Sequence, residues 1–245
     1  MPRLRLDRIL SEYSSYTRRE GSELIRKGLV SADGRVCRDP AAKFETEGLL
    51  LAIGGKERRL HENNNFLFYK PAGFVSATED PRERTVLELI REEDRFPSLF
   101  PAGRLDKDTT GLLILTSDGG LCHRIISPAK QVWKTYRALV SGTLNEDDVS
   151  AFAHGLLIDG GELCRPAFLS ILSSGNESEA LIRICEGKYH QIKRMFAARG
   201  KEVLQLHREA IGCLRLDPAL APGEYRPLLP EEISKLFEDP GRTII

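Results

Sequence analysis

The stretch Gly103-Arg104-Leu105-Asp106-Lys107-Asp108-Thr109-Thr110-Gly111-Leu112-Leu113-Ile114-Leu115 carries a polar loop straight into an apolar run. Four apolar residues in succession after a glycine read as a buried strand. A carboxylate in a loop at the mouth of such a strand is a candidate nucleophile or base, because a rigid element holds it beside poorly solvated space. The same residues also fit a plain turn in which Asp106 and Asp108 accept hydrogen bonds from nearby backbone N–H groups.

Further strand patterns lie at Phe66-Leu67-Phe68-Tyr69, Leu112 to Thr116, Thr135 to Val140, Ala180 to Cys185 and Leu214-Arg215-Leu216. Asn145 can cap a helix running through Val149 and Phe152, and Pro230-Glu231-Glu232 opens a C-terminal helix with Ile233, Leu236 and Phe237 inward. Strands and helices do not alternate as a βαβ series, so an α+β fold is expected rather than a doubly wound sheet. There is no internal repeat or low-complexity tract.

The first 60 residues have a separate architecture. Leu6, Ile9, Leu10 and Tyr13 follow the spacing of a helix with one buried stripe, and a second helix from Arg18 to Lys27 turns Leu24 and Ile25 inward and ends at Gly28. Residues 29–36 read as a hairpin around Asp33-Gly34. Residues 54–65 (GGKERRLHENNN), rich in glycine, charge and asparagine, read as a linker. That divides the chain into a domain over 1–60 and a second over 66–245.

The charge follows this organisation. The 36 basic and 36 acidic residues cancel, which taken whole counts against a nucleic-acid partner. Residues 1–60, however, hold 13 basic and 9 acidic residues, a net of +4. Residues 185–215 hold 7 basic and 3 acidic, again +4, so the remainder carries −8. Screening leaves charge effective only over about 8–10 Å, so two basic islands can bind anions within a neutral chain. Solvated faces with scattered lysines would give the same count.

Several function classes have no support. No apolar run reaches the roughly 18 residues of a membrane span, and the N-terminal MPRLRLDRIL lacks a signal-peptide core. Five cysteines at 37, 122, 164, 185 and 213, none in a CxxC pair, fit reduced thiols and a cytoplasmic location. There is no GxxxxGK[ST] loop, no GxGxxG after a strand, and no His/Cys cluster at metal-ligand spacing. No cofactor and no metal are expected, so any chemistry must come from ordinary side chains.

Five motifs, in order, give the chain a close resemblance to the RsuA-type pseudouridine synthases. They are KPAGFVSATEDP at 70–81, GRLDKDTTGLLILTSDG at 103–119, KTYRA at 134–138, EGKYHQIKRMFAARG at 186–200, and LHREAIGCLRLD followed by LAPGEYRPL. The N-terminal block resembles the S4-type RNA-binding domain through RLDRIL at 5–10, TRRE at 17–20, ELIRKGLV at 23–30 and DGR at 33–35. Two positions depart from the usual S4 pattern, Thr17 for serine and Gly21 for alanine. The glycine is expected to weaken the second helix by roughly 1 kcal/mol.

The resemblance implies a catalytic domain built on a mostly antiparallel mixed sheet with flanking helices. It makes Asp106 the catalytic aspartate, Tyr136 the active-site tyrosine and Lys193 its basic partner. Spacing agrees on Lys193. In a helix over 189–198, Tyr189, Ile192, Lys193 and Phe196 share one face while His190, Arg194 and Ala197 share another. Lys193 then points inward with Asp106 as its partner, and Arg194 points toward RNA. A snorkelling Lys193 whose amine reaches water is the alternative. The expected RNA contacts are Arg5, Arg8, Arg18, Arg19, Arg26 and Lys27 in the S4-like block. In the catalytic block they are Arg104, Lys134, Lys188, His190, Gln191 and Arg194. Trp133 reads as packing rather than a base platform.

The reaction implied is cofactor-free isomerisation of uridine to pseudouridine, with the uridine first leaving its stack. Asp106 would act ionised, at C1′, at C6 or on the C2′ proton. The implied partner is 16S rRNA or a small-subunit assembly intermediate, with the uridine conventionally numbered 516 as the family target. The same chemistry on 23S rRNA is one alternative; a noncatalytic RNA-binding ribosome-assembly factor is another. A monomer is the default.

Overall fold

The computed structural model describes residues 3–14, 16–60, 65–95 and 98–241. Two compact units emerge: Met1–Asn64 with Ile90–Phe100 and Thr116–Asp118, and Asn65–Leu89 with Pro101–Leu115 and Gly119–Ile245.

The first unit runs β1 (Leu4–Arg5), α1 (Leu6–Tyr13), α2 (Arg18–Arg26), β2 (Val30–Ala32), β3 (Arg35–Cys37), β4 (Lys43–Phe44), β5 (Leu50–Ile53) and β6 (Lys56–Arg59). Leu6, Ile9, Leu10 and Tyr13 are buried as the α1 spacing predicts. In α2, Ile25 is fully buried and Leu24 half-buried. A reciprocal Thr17/Glu20 capping box starts this helix. Gly21 has a packing reason: a Cβ there would lie 3.0 Å from the Leu10 Cβ, so its small size lets α1 and α2 approach closely.

The hairpin around Asp33-Gly34 forms as expected, both residues having positive φ (49° and 76°) to suit the strand twist. The linker reading of 54–65 is corrected. Lys56–Arg59 pairs antiparallel with Leu50–Ile53 across the Gly54-Gly55 turn, and Leu60 is fully buried. A charged tetrapeptide can form an edge strand because pairing uses backbone groups alone, and charge suits an edge. Residues 61–64 of that stretch lie outside the described residues.

The second unit, apart from Phe100 and Thr116 at the ends of β8 and β9, comprises β7 (Asn65–Lys70), β8 (Phe100–Pro101), β9 (Thr110–Thr116), α3 (Gly119–Ile126), β10 (Lys134–Ser141), α4 (Glu146–His154), β11 (Leu157–Ile158), β12 (Glu162–Leu163), β13 (Phe168–Ser173), β14 (Glu177–Ile184), α5 (Gln191–Ala197), β15 (Val203–Ile211), β16 (Leu214–Arg215), β17 (Tyr225–Pro227) and α6 (Pro230–Lys235). Its main sheet has the order β13-β14-β10-β15-β9-β7-β17, with β16 added to β15. Pairs β13–β14, β14–β10, β10–β15 and β7–β17 are antiparallel; β15–β9 is parallel. This is the mixed, mostly antiparallel α+β sheet that the resemblance implies.

β9 is buried almost throughout, as the apolar run predicts, whereas β10 alternates buried and half-buried residues along its length. Asn145 caps α4 through the Asp147 and Asp148 backbone N–H groups. The core gathers Leu67, Leu112, Ile114, Leu121, Ile125, Ile211, Leu214 and Leu236. At the β9–β15 junction Gly111 (φ 111°) sits against the Arg208 backbone, where a Cβ would fall 2.2 Å from the Arg208 carbonyl oxygen. Only glycine permits the two strands to come this near.

Candidate active site

Asp106 and Asp108 stand on the loop entering β9, and two buried groups, one at the end of β7 and one just beyond it, hold that loop. Lys70, fully buried at the end of β7, donates its ammonium to the carbonyls of Pro71 (3.0 Å), Lys107 (3.3 Å) and Thr109 (2.8 Å). Ser76 exchanges two 3.0 Å hydrogen bonds with the Leu105 backbone. The Gly73 N–H bonds Lys107 O at 2.8 Å. Burial pulls the Lys70 ammonium down to about 8, opposed by the charges of Asp108 and Asp106.

Asp106 keeps a quarter of its side chain exposed. Its Oδ1 lies 3.5 Å from His190 Nε2 and its Oδ2 3.7 Å from Lys193 Nζ. Lys193 reaches this point from α5, as expected, but its nearest partner is Asp108. Its Nζ sits 2.7 Å from both Asp108 oxygens. Burial works against ionisation of Asp108, and the Lys193 hydrogen bonds and charge outweigh it, leaving the carboxyl below its ordinary value. The expected Asp106 pairing is therefore present only as the longer arm of a shared contact.

Tyr136 lies on β10 and is 7% exposed. Its hydroxyl accepts from Arg208 Nη1 at 3.4 Å, and Arg208 Nε donates to Leu112 O at 2.7 Å. Arg208 also lowers the Lys70 ammonium, so Tyr136's neighbour and the two carboxylates act on one buried lysine.

Several expected positions are corrected. Tyr189 precedes α5 and is 73% exposed, because His190 at its N-cap adopts a left-handed conformation (φ 48°) that breaks the helical periodicity. Tyr189 instead stacks on the His190 ring, centroids 3.9 Å apart. Gln191 is buried, not presented to solvent. Its amide donates to Glu186 at 2.7 Å and its oxygen accepts from the Lys188 N–H at 3.0 Å. Arg194 is held by Asp159, by Glu162 at 2.7 Å and by the Tyr189 carbonyl at 3.1 Å, which ties α5 to the β11–β12 hairpin. Lys134 is buried beside Tyr136. Arg104 is exposed and Lys188 and His190 half-buried. Trp133 packs on Phe168 and Arg183, as expected.

Lys70 and Arg208 escaped the reading of the sequence. A lysine closing the apolar run Phe66-Leu67-Phe68-Tyr69 was the available signal for the first. Nothing local marks Arg208, whose meaning depends on strand register. Among the described residues no group of three His, Cys, Asp or Glu could hold a metal ion.

In the first unit, Arg5 and Arg18 converge on Asp7, which is 4% exposed, at 2.7 and 3.4 Å. The Arg5 hydrogen bond, opposed by burial, holds the Asp7 carboxyl below its ordinary value. Arg8 pairs with Glu12 (2.7 Å) and Arg19 with Glu23 (3.7 Å), while Arg26 and Lys27 are exposed.

A strand-mouth aspartate, a lysine brought to it from α5, and a tyrosine on the same mixed sheet belong together in one class of enzyme. The chain is a member of the RNA pseudouridylate synthase family, whose model matches residues 64–198, and it carries an S4 domain over 4–48. It is 41% identical over 236 residues to ribosomal small subunit pseudouridine synthase A of Vibrio vulnificus, covering 96% of this chain and 100% of that one. The protein of the same name from Escherichia coli K12 is 39% identical over 234 residues, covering 95% and 100%. An uncharacterized RNA pseudouridine synthase of Bacillus subtilis, YtzG, is 39% identical over 96% of this chain and 99% of its own. A crystal structure of a pseudouridylate synthase superposes with a TM-score of 0.65 at 36% identity, covering 95% and 99% of the two chains.

Proposed function

We propose that this chain isomerises one uridine of 16S rRNA, the position conventionally numbered 516, to pseudouridine, with Asp106 as the acting carboxylate. The observation that carries the reading is Asp106 itself. It stands in a loop clamped by a buried lysine, part-exposed, with Lys193 at 3.7 Å and His190 at 3.5 Å. A carboxylate flanked by a lysine ammonium and an imidazole and open to a ligand suits attack on, or deprotonation of, a ribose or base carbon. The 16S choice is supported by similarity along nearly the whole chain to proteins named for the small ribosomal subunit.

The uridine has to leave its stack to reach Asp106, at a cost of a few kcal/mol, and contacts to the surrounding RNA offset it. The S4 domain supplies these through Arg5, Arg8, Arg18, Arg19, Arg26 and Lys27. Arg104 joins them from the catalytic loop, a flat exposed cation able to stack on a base or bond a phosphate. No helix of the described residues is long and apolar enough to cross a membrane.

Asp106→Asn decides the reading. The variant should fold and bind RNA yet release no tritium from 16S rRNA carrying 5-tritiated uridine. Retained turnover overturns the assignment. Pseudouridine maps of 16S and 23S rRNA from cells lacking the gene should differ at one 16S position, and a difference only in 23S overturns the choice of target.

A further inference from the structure

Two buried cations beside Tyr136 have donors to spare. Arg208 lies opposite Tyr136 in the β10–β15 register, so the two side chains leave the sheet on one face. Lys134, two residues before Tyr136, shares that face. Arg208 is 3% exposed and Lys134 9%. The guanidinium uses Nε on Leu112 O and Nη1 on the Tyr136 hydroxyl, but Nη2 has no acceptor among the described residues. No hydrogen bond or ion pair joins the Lys134 ammonium to another described residue, and unlike Nη2 it is not sealed from solvent.

Charge around these groups is unbalanced. Lys70, Lys134, Lys193 and Arg208 are four cations; Asp106 and Asp108 are two anions, a surplus of +2. Unpaired charge in a poorly solvated place is unfavourable until an anion arrives. Burial and the nearby Arg208 already draw the Lys134 ammonium down to about 8.

The reaction itself generates an anion. When the bond between uracil N1 and ribose C1′ breaks, its electron pair stays with the ring and spreads over N1 and the two carbonyl oxygens. After the ring turns, C5 returns an electron pair to C1′, the C5 proton leaves to a base, and N1 takes up a proton. Nothing is oxidised or reduced, and product and substrate are isomers.

We propose that Arg208 and Lys134 form the subsite for the detached uracil. Their free N–H groups bond its carbonyl oxygens and hold the ring as an anion while it turns. The inference rests on the reading of Asp106 above and adds two residues that touch the reacting base. Arg208 lies beyond the stretch that the family model matches.

The test compares single-turnover rates on two RNAs, one with uridine and one with 5-fluorouridine at the target, following loss of the N1-linked nucleoside. Fluorine withdraws electrons and makes the ring a better anion, so less cationic help is needed. On uridine RNA, Arg208→Gln should lower the rate about 100-fold. RNA affinity should change by less than about threefold. On 5-fluorouridine RNA the deficit should shrink to about tenfold or less. Lys134→Gln should shrink in the same direction, and it decides the matter if Arg208→Gln does not fold. An equal deficit on both RNAs, or none, overturns the subsite and leaves Asp106 untouched. Turnover by Asp106→Asn on uridine RNA, run alongside, instead overturns the reading on which the subsite rests.

Discussion

Lys193 places its ammonium 2.7 Å from both carboxylate oxygens of Asp108 and 3.7 Å from the nearer oxygen of Asp106. One lysine thus serves two carboxylates that are two residues apart. The more exposed one, Asp108 with 71% of its side chain accessible, holds the tighter contact.

On the function proposed above, Asp108 is a positioning residue that acts through Lys193. Lys193→Met should lower the single-turnover rate on 16S rRNA by about 100-fold or more, and Asp108→Asn by about tenfold. The double variant should be no slower than Lys193→Met alone, because the second change removes a partner already gone. Multiplied deficits in the double variant would mean that Asp108 acts by itself.

Lys134 gives a stability prediction with a definite sign. Its folded value of about 8 lies below the ordinary lysine value because of burial and Arg208, with Cys185 acting weakly the other way. Between about pH 8 and pH 10.5 the unfolded chain binds more protons, so this group lends stability as pH rises through that window and subtracts it below. Lys134→Met should therefore resist urea better than the parent at pH 7.5, with the gap in midpoints narrowing toward pH 10. A gap that widens with pH would contradict the burial of this cation. Lys70, the neighbouring lysine at about 8, is present in both proteins and cancels in the difference.

Gly111 follows the loop that carries Asp106 and Asp108 and opens the buried part of β9. Its φ of 111° and the 2.2 Å approach of a built Cβ to the Arg208 carbonyl leave no room for a side chain. Gly111→Ala should cost about 3 kcal/mol or more and separate β9 from β15. Urea unfolding measures the cost. Loss of activity should accompany it, since Arg208 and Leu112 are bonded across that same junction. A fully stable, active Gly111→Ala enzyme would show that the strands tolerate a wider spacing.

Much of the framework was legible along the chain because its causes are local. The buried stripe of α1, the Asp33-Gly34 turn, the Asn145 cap and the apolar run of β9 each depend on neighbours within about one helical turn or one hairpin. Residues 54–60 misled for the same reason. A charged run looks solvated until a partner strand is known, and pairing with Leu50–Ile53 uses backbone groups that composition does not report.

The sequence by itself determined the α+β class, the S4 and synthase motifs, and Asp106, Tyr136 and Lys193 as the residues to watch. Only the tertiary structure decided how they meet. Asp108 takes the tighter contact with Lys193 because α5 and the β9 loop are packed together from distant parts of the chain. Arg208 faces Tyr136 because of a register that shifts between Thr135 and Tyr136. One residue of slip would send every following side chain to the other face of the sheet, and local periodicity cannot reveal such a shift.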